Sequence, residues 1–73
     1  MKHQLKIEPK YFQQVLMGNK NFEIRNNDRN FKVGDLVDLN EIGTDRKISC
    51  IITFVTDFQQ KDGYVVFGIK VFK

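Results

Sequence analysis

The strongest constraint on the fold is an alternation of apolar and polar side chains that recurs along the chain. It is clearest in the last segment, YVVFGIKVF at 64–72. The apolar residues at every second position of this segment are Val65, Phe67, Ile69 and Val71. This period of two is typical of a strand with one buried face. The segments HQLKIE and NFEIRN and the segment around Val37 and Leu39 show the same pattern. KISCIITFVTDF is apolar on both faces, so we expect a central or strongly curved strand there.

A single segment, PKYFQQVLMGNK, has helical spacing instead. Its apolar positions at that spacing are Tyr11 or Phe12, Val15 and Leu16. Pro9 stops the preceding strand and suits the first turn of a helix, where its missing N–H is not needed. Gly18 follows Met17 at the place where a left-handed C-terminal cap is expected. The pattern therefore predicts a helix from about Pro9 to Met17.

The predicted order of elements is β-α-β-β-β-β, in one domain that spans residues 1–73. A chain of this length buries only ~60% of the surface that its unfolded form exposes. Five strands in so short a chain cannot leave hydrophobic sheet edges open. We therefore predict an α+β, mostly β fold, in which about five strands curl into a small barrel and the early helix packs against it.

We expect most of the seven phenylalanines to be buried, because so small a barrel has few other large apolar side chains to fill its interior. We expect Phe22, Phe54 and Phe67 to lie inside. His3 is on the inward face of its strand by parity, which predicts a structural histidine with a hydrogen-bond partner. Gly68 lies opposite the apolar face of the last strand, which indicates a bend or a close backbone approach.

The composition narrows the setting and the class of function. Cys50 is the single cysteine and lies in the apolar run SCIITFV, so we expect a buried reduced thiol and no disulfide. With His3 as the single histidine there is no Cys/His cluster for zinc, and we expect no metal and no cofactor. No run of ~18 apolar residues is present, and the N-terminus is too polar for a secretory signal. We therefore expect no membrane partner and a cytoplasmic location. The net charge of +3 permits nucleic-acid binding through a local patch but does not by itself indicate it.

The stretch GNKNFEIRNNDR at 18–29 holds the main candidate site. Asn21, Glu23 and Arg25 share one strand face at intervals of about 7 Å, and Lys20 sits at the turn before them. Cations in this arrangement can hold a phosphate or a polarised carbonyl, while the carboxylate orients them. The alternative is a solvated face with a Glu–Arg pair worth well under ~1 kcal/mol.

Other residues complete the candidate site. Arg29 and Lys32 lie in the following loop and can extend its positive rim. Tyr11 and Tyr64 are the candidates for stacking on a base, since a phenol tolerates a half-wet position; ordinary packing is the alternative for both. The structural positions are Gly18 at the helix end, Gly34 in a turn, and Asp35, whose carboxylate is expected to cap nearby backbone N–H groups.

These motifs resemble a known family. The pattern Gly-x-Lys-x-x-Glu-x-Arg after a first helix, followed by a Val-Gly-Asp turn, is similar to the ASCH domain (activating signal cointegrator homology) of the PUA-like superfamily. The residues that match it are Gly18, Lys20, Glu23, Arg25, Val33, Gly34 and Asp35. Nearly the whole chain resembles the short stand-alone bacterial and phage branch. The resemblance implies a PUA-like barrel, a cleft between the helix and the barrel mouth, and binding of RNA or modified nucleotides.

The resemblance also raises an amidohydrolase hypothesis. Some ASCH proteins that resemble this chain remove the acetyl group from N4-acetylcytidine with the motif lysine, a threonine nucleophile and a later glutamate. Lys20 matches that lysine, but Glu23 stands at the threonine position, and residues 18–30 contain no Ser or Thr. Hydrolysis would therefore need a water activated by Glu23, with Lys20 polarising the carbonyl. Asp57 and Asp62 are the acidic residues of this chain that could stand where those proteins have the later glutamate.

A third hypothesis is a small protein-interaction or regulatory module. Exposed strand edges, or the C-terminal KVFK at 70–73, would then pair with a partner by strand addition. We expect a monomer or a weak homodimer. Among the three hypotheses the sequence favours a binding module rather than an enzyme, with RNA or a modified nucleotide as the ligand and DNA as a further candidate.

Overall fold

A computed structural model describes residues 1–72 of the chain. The elements along the chain are β1 (Lys2–Ile7), α1 (Pro9–Leu16), β2 (Phe22–Asn26), β3 (Leu36–Glu41), β4 (Lys47–Thr56) and β5 (Tyr64–Val71). This is the predicted order, with one helix and five strands. The mostly β character of the fold is therefore confirmed.

The five strands form one curled sheet in the order β1-β3-β4-β5-β2, which closes about half of a barrel. β1 pairs with β3 in parallel, and the other neighbours are antiparallel. β4 is the central strand, as its two apolar faces predict. β1 and β2 are the two edge strands, although they are the first two strands of the chain.

The helix ends in the way that its sequence indicates. Leu16 is its last residue, Met17 caps it, and Gly18 follows with a φ of +81°. The N–H groups of Gly18 and Asn19 donate to the carbonyls of Val15 and Gln14, which is the Schellman arrangement. This cap turns the chain sharply, so that the next residues enter β2.

The core lies between the curled sheet and the helix. Its buried hydrophobic residues are Leu5, Ile7, Phe12, Val15, Phe31, Val37, Leu39, Ile48, Cys50, Ile52, Val65, Phe67 and Ile69. Phe67 is inside as predicted, and the Cys50 thiol is fully buried, which raises its pKa to about 11. The alternating positions of β1, β3 and β5 therefore face inward as the sequence indicates.

The predicted interior positions of Phe22 and Phe54 are wrong, since these side chains are 43% and 62% exposed. In β4 the pairing with β5 shifts between Ile52 and Phe54, and this bulge turns Phe54 to the outer face. In β2 the inward positions belong to Glu23 and Arg25, which pair with the buried residues of β5, so Phe22 faces out.

Phe22 and Phe54 are both register partners of Gly68 on the outer face of the sheet. A Cβ atom at Gly68 would lie 3.0 Å from Thr53 Oγ1 and 3.9 Å from the nearest backbone atom, so a side chain rather than the backbone approaches this glycine most closely.

His3 is buried, and its Nε2 lies 2.8 Å from Asp35 Oδ2. Asp35 Oδ2 also accepts a hydrogen bond from the Lys32 N–H at 3.2 Å, and Gly34 adopts a φ of +92° in the turn. His3 thus has the hydrogen-bond partner expected of a structural histidine, and Gly34 and Asp35 lie in the turn that leads into β3. Within residues 1–72, no helix has the length and apolar character needed to cross a membrane.

Candidate functional site

The free edges of β1 and β2 face each other across a groove. At both ends of β2, odd-numbered residues bond to β5: Asn21 O accepts from Ile69, and the Asn27 N–H donates to Gly63 O. Even-numbered residues of an antiparallel strand bonded in this way point their backbone groups to the other side. The backbone of Ile24 therefore faces β1, where the Lys6 carbonyl points back towards β2.

The groove has two halves that share Lys6 and Arg25. One half encloses about 470 Å³ and is lined by Ile7, Glu8, Tyr11, Lys20, Phe22, Glu23 and Ile24 in addition to the shared pair. The other half encloses about 390 Å³ and is lined by Gln4, Leu5, Asn26, Asp28, Arg29 and Phe31 in addition to that pair. We call them the aromatic half, after Tyr11 and Phe22, and the basic half, after Arg29.

Glu23 forms the floor of the groove between the two motif cations. Its side chain is only 4% exposed, and its carboxylate contacts the Lys20 ammonium. On its other side, Arg25 Nε and Nη2 both donate to Glu23 Oε1, at 3.0 and 2.8 Å. A buried carboxylate is tolerated in a protein interior when cations and hydrogen bonds neutralise it in this way. The solvated Glu–Arg pair that alternation alone permits is therefore not what forms.

The Lys20 ammonium is surrounded by partners. Besides Glu23 it donates to the Phe22 carbonyl at 2.7 Å, and it lies 5.8 and 5.0 Å from the ring centres of Tyr11 and Phe22. Both ring distances are in the range of cation–π contacts. Lys20 therefore contacts Tyr11 of the helix as well as Phe22 and Glu23 of β2.

Arg25 spans the groove. Its Nη2 donates to the Lys6 carbonyl of β1 at 2.8 Å. This side-chain hydrogen bond connects β2 to β1, which are not paired through their backbones. The Arg25 side chain is 25% exposed. Among the described residues no acceptor lies on its Nη1, which leaves two donors without a protein partner.

The sequence-predicted site residues are partly brought together. Lys20, Glu23 and Arg25 meet on the floor, Tyr11 lines the aromatic half, and Arg29 lines the basic half. Two predicted residues lie elsewhere. Lys32 is exposed beside Asp35 and outside the groove lining. Tyr64 lines a separate depression of about 210 Å³ at the β4–β5 hairpin.

Lys6 and Phe31 are site residues that the sequence interpretation did not select. Lys6 is on the polar side of the alternating segment HQLKIE, so the sequence predicts that it is exposed. Its position beside Arg25 depends on how the sheet curls. Phe31 is buried behind the basic half, where its ring centre lies 4.7 Å from that of Phe67.

The described lining of the groove does not provide the serine, threonine or cysteine nucleophile of a common acyl-transfer site. Its described lining contains no Ser, Thr, Cys or His, and cations hold both oxygens of Glu23. Asp57 and Asp62, the acidic partners considered for hydrolysis, line the depression at the β4–β5 hairpin instead. Within the described part of the chain, no three His, Cys, Asp or Glu side chains are grouped as metal ligands would be. The amidohydrolase hypothesis stays a prediction that no feature of this groove favours.

The structure also shows which strand edges are available for the strand-addition hypothesis. β5 pairs with β4 over residues 66–71 and with β2 over residues 64–68, so the two edge strands of the sheet are β1 and β2. The C-terminal KVFK ends at Lys73, which lies outside the described residues.

Comparison with known proteins identifies a family and a relative. Residues 2–69 match the family described as "Domain of unknown function (DUF3850)". The chain is also 44% identical over 59 residues to a protein of Escherichia phage P2 named "Uncharacterized 12.9 kDa protein in GpA 3'region". That alignment covers 75% of this chain and 54% of the phage protein, so the chain spans about half the length of this curated relative. Every residue that lines the groove lies within the family match.

Proposed function

We propose that this chain, which belongs to the DUF3850 family, is a binding module that holds a nucleotide unit, free or within single-stranded RNA, in the groove between β1 and β2. The observation that carries the proposal is the meeting of an aromatic half and a basic half at Arg25. A nucleotide has the same division, with a flat base at one end and an anionic phosphate at the other.

The aromatic half suits a base. Tyr11 is 45% exposed and Phe22 is 43% exposed, so both rings present surface to the groove. Single-stranded RNA is recognised mainly through unstacked bases that stack on aromatic side chains. The backbone N–H and carbonyl of Ile24 point into the same half and offer one donor and one acceptor to the edge of the base.

The basic half suits a phosphate. Arg25 offers its two Nη1 donors, and Arg29 stands beside it with a side chain that is 47% exposed. Guanidinium groups match phosphate oxygens in a bidentate way. Glu23 holds Arg25 in position, which is the orienting role that the sequence predicts for this carboxylate.

The resemblance to ASCH domains is part of this proposal, since Lys20, Glu23 and Arg25 carry it and also form the floor of the groove. A duplex is too wide to enter between two strand edges that Arg25 spans, so we expect single strands to bind more tightly than duplexes.

Fluorescence anisotropy tests the proposal. Labelled single-stranded RNA, single-stranded DNA and duplex RNA of about eight nucleotides are titrated with the protein at about 50 and 150 mM salt. We expect single-stranded RNA to bind most tightly and to bind more weakly at the higher salt. Tyr11→Ala should weaken binding by about ten- to a hundredfold, the range for one lost base stack.

Matched variants and competitors complete the experiment. Arg29→Ala should weaken binding, whereas Lys61→Ala, which removes the same charge at the β4–β5 hairpin, should not. Cytidine and N4-acetylcytidine serve as competitors, and the mixtures are checked for release of acetate. The absence of binding to every probe at low salt, or equal affinities for Tyr11→Ala and the unmodified protein, contradicts the proposal. Release of acetate supports the amidohydrolase instead.

A further inference from the structure

A second group of charged and polar side chains lies on the outer face of the sheet, the face that points away from the core. It consists of Lys2, Gln4 and Lys6 of β1, Asp38 of β3, and Lys47 and Ser49 of β4. We call these six residues the lysine platform. Register relates them directly: Gln4 pairs with Asp38, Asp38 with Ser49, and Lys6 with Asn40, which pairs in turn with Lys47.

Asp38 is the centre of the platform and is unusual in being a carboxylate on the outer face that is only 1% exposed. Gln4 Nε2 donates to its Oδ2 at 2.9 Å and Ser49 Oγ donates to its Oδ1 at 2.8 Å. The ammonium groups of Lys2 and Lys47 approach Oδ2 at 3.2 and 3.5 Å from opposite sides. The surrounding side chains therefore cover Asp38, and Asp38 fixes the positions of two lysines.

The two lysines keep donors for a ligand. Their side chains are 53% and 55% exposed, and an ammonium has three donors of which Asp38 takes one. With Lys6, the platform has three lysines and one carboxylate, a net charge of +2 by this count. For comparison, the whole chain has a net charge of +3.

The platform is continuous with the groove through Lys6. Lys6 lines both halves of the groove, and its carbonyl accepts the hydrogen bond from Arg25. Its side chain also belongs to the outer row of β1, about 13 Å along the strand from Lys2 and about 10 Å across from Lys47. A path of positive charge thus leaves the groove and crosses β1.

We propose that the lysine platform is a second nucleic-acid contact, which takes the sugar-phosphate backbone of a single-stranded polynucleotide as it leaves the groove. This inference rests on the proposed function of the groove and extends it from one nucleotide unit to a chain of several. The ligand of the whole module is then a polynucleotide rather than a free nucleotide.

The chemistry of the platform favours a polynucleotide backbone. Its side chains are polar or cationic, and surfaces that bind nucleic acid are more polar and more positive than those that bind proteins. Contacts of lysines with phosphates add affinity without base preference and make it dependent on salt. An acidic peptide is the alternative occupant, and the test includes one.

The test compares lengths of oligonucleotide. Anisotropy is measured with labelled oligouridylates of about two, four and eight nucleotides, with oligothymidylate of the longest length, and with oligoglutamate as competitor. The platform variant is Lys2→Gln with Lys47→Gln, because glutamine keeps a donor for Asp38 and removes the charge. The control is Lys61→Gln, which removes a lysine charge at the β4–β5 hairpin, away from the outer face of the sheet. Thermal melts establish that each variant is folded.

We expect affinity to rise with length in the unmodified protein. The platform variant should lose about five- to tenfold for the longest oligonucleotide and less than about twofold for the dinucleotide. Its salt slope for the longest probe should fall by about 1.4, since each lost phosphate contact on a single strand removes about 0.7. The control variant should stay within about twofold at every length.

Three results overturn the inference: affinity that does not rise with length, equal losses in the platform and control variants, or displacement of the RNA by oligoglutamate at equal charge. If oligothymidylate binds as tightly as oligouridylate of the same length, the platform still contacts the backbone of a single strand, but the module has no preference for RNA over DNA. Asp38→Asn gives a second measurement, because it removes the carboxylate that holds Lys2 and Lys47, and it should change the affinity for the longest probe and leave that for the dinucleotide within about twofold. If the dinucleotide and the longer probes all fail to bind at low salt, the proposed function fails as well.

Discussion

Glu23 is a buried charge whose presence depends on two neighbours. Lys20 contacts one carboxylate oxygen and Arg25 donates twice to the other. Removing one partner of a buried ion pair leaves a charge in the interior without compensation, which costs more than the pair itself contributes. The motif therefore has a structural role whatever ligand the groove takes.

Arg25→Ala should lower the free energy of unfolding by about 2–3 kcal/mol, somewhat less than for a fully buried pair because Lys20 still contacts the carboxylate. Urea denaturation followed by circular dichroism measures this change. Arg29→Ala is the matched control, since the Arg29 side chain is 47% exposed and lies 4.0 Å from Asp28. The control should stay within about 0.5 kcal/mol of the unmodified protein.

The double variant Arg25→Ala with Glu23→Gln should be more stable than Arg25→Ala alone, because it also removes the uncompensated charge. If Arg25→Ala unfolds at the same urea concentration as Arg29→Ala, the buried ion pair is not a stability determinant, and Arg25 serves the ligand alone.

At the scale of elements, β2 is inverted relative to the other strands. Its polar side chains face the barrel interior and its apolar side chains face out, so Phe22 pairs with Gly68 on the outer face while Glu23 pairs with the buried Phe67. The register with β5 produces this arrangement, because it places Glu23, and not Phe22, beside the buried Phe67.

Phe67→Ala should lower the free energy of unfolding by about 3–5 kcal/mol, the usual cost of removing a fully buried aromatic ring. Phe22→Ala should cost less than about 1.5 kcal/mol, because nearly half of its ring is already exposed. Thermal and urea denaturation of the two variants provide the comparison. Equal losses would mean that β2 presents Phe22, and not Glu23, to the core.

At the scale of the whole molecule, three carboxylates accept several hydrogen bonds each; Asp35 and Asp38 join segments that are distant in sequence, and Glu41 closes the turn between β3 and β4. Asp35 accepts from His3 and from the Lys32 N–H, Asp38 accepts from Gln4 and Ser49, and Glu41 accepts from Arg46 and Thr44. These hydrogen bonds favour the ionised carboxylates and lower the pKa of each group below its ordinary value, 3.8 for the aspartates and 4.5 for the glutamate.

Stability should therefore fall in acid. A carboxyl whose pKa is lower in the folded state contributes its full stabilisation above the unfolded pKa, and loses it as the pH falls through the folded value. We expect the melting temperature to decline below about pH 4.5 through these three groups. Asp38→Asn should make that decline shallower, because the group with the largest pKa shift no longer titrates. Thermal melts between about pH 7 and 2 measure how steeply the melting temperature falls in the unmodified protein and in Asp38→Asn. Identical slopes would mean that Asp38 does not contribute to the loss of stability in acid.

Local sequence determined most of the elements. Pro9 and Gly18 bound the helix, since a proline ring suits the first turn and glycine accepts the left-handed cap. The alternation in HQLKIE and YVVFGIKVF assigns the inward side chains of β1 and β5 correctly, because the period of two is a property of the strand itself. The cluster of Lys20, Glu23 and Arg25 is also local, since five positions separate its ends.

Only the tertiary structure decided which side of β2 faces inward and what the groove contains. Alternation states that Phe22 and Glu23 lie on opposite faces, but the face that is buried depends on β5, whose register partners place Glu23 over the core. The bulge in β4 likewise reverses the parity of Phe54 through pairing with Gly68. The groove itself exists because strands that follow each other in sequence become the two edges of the sheet, and its curl brings Lys6 within reach of Arg25. Such contacts between distant elements are set by the register and curvature of the entire sheet, and a period of two cannot encode them.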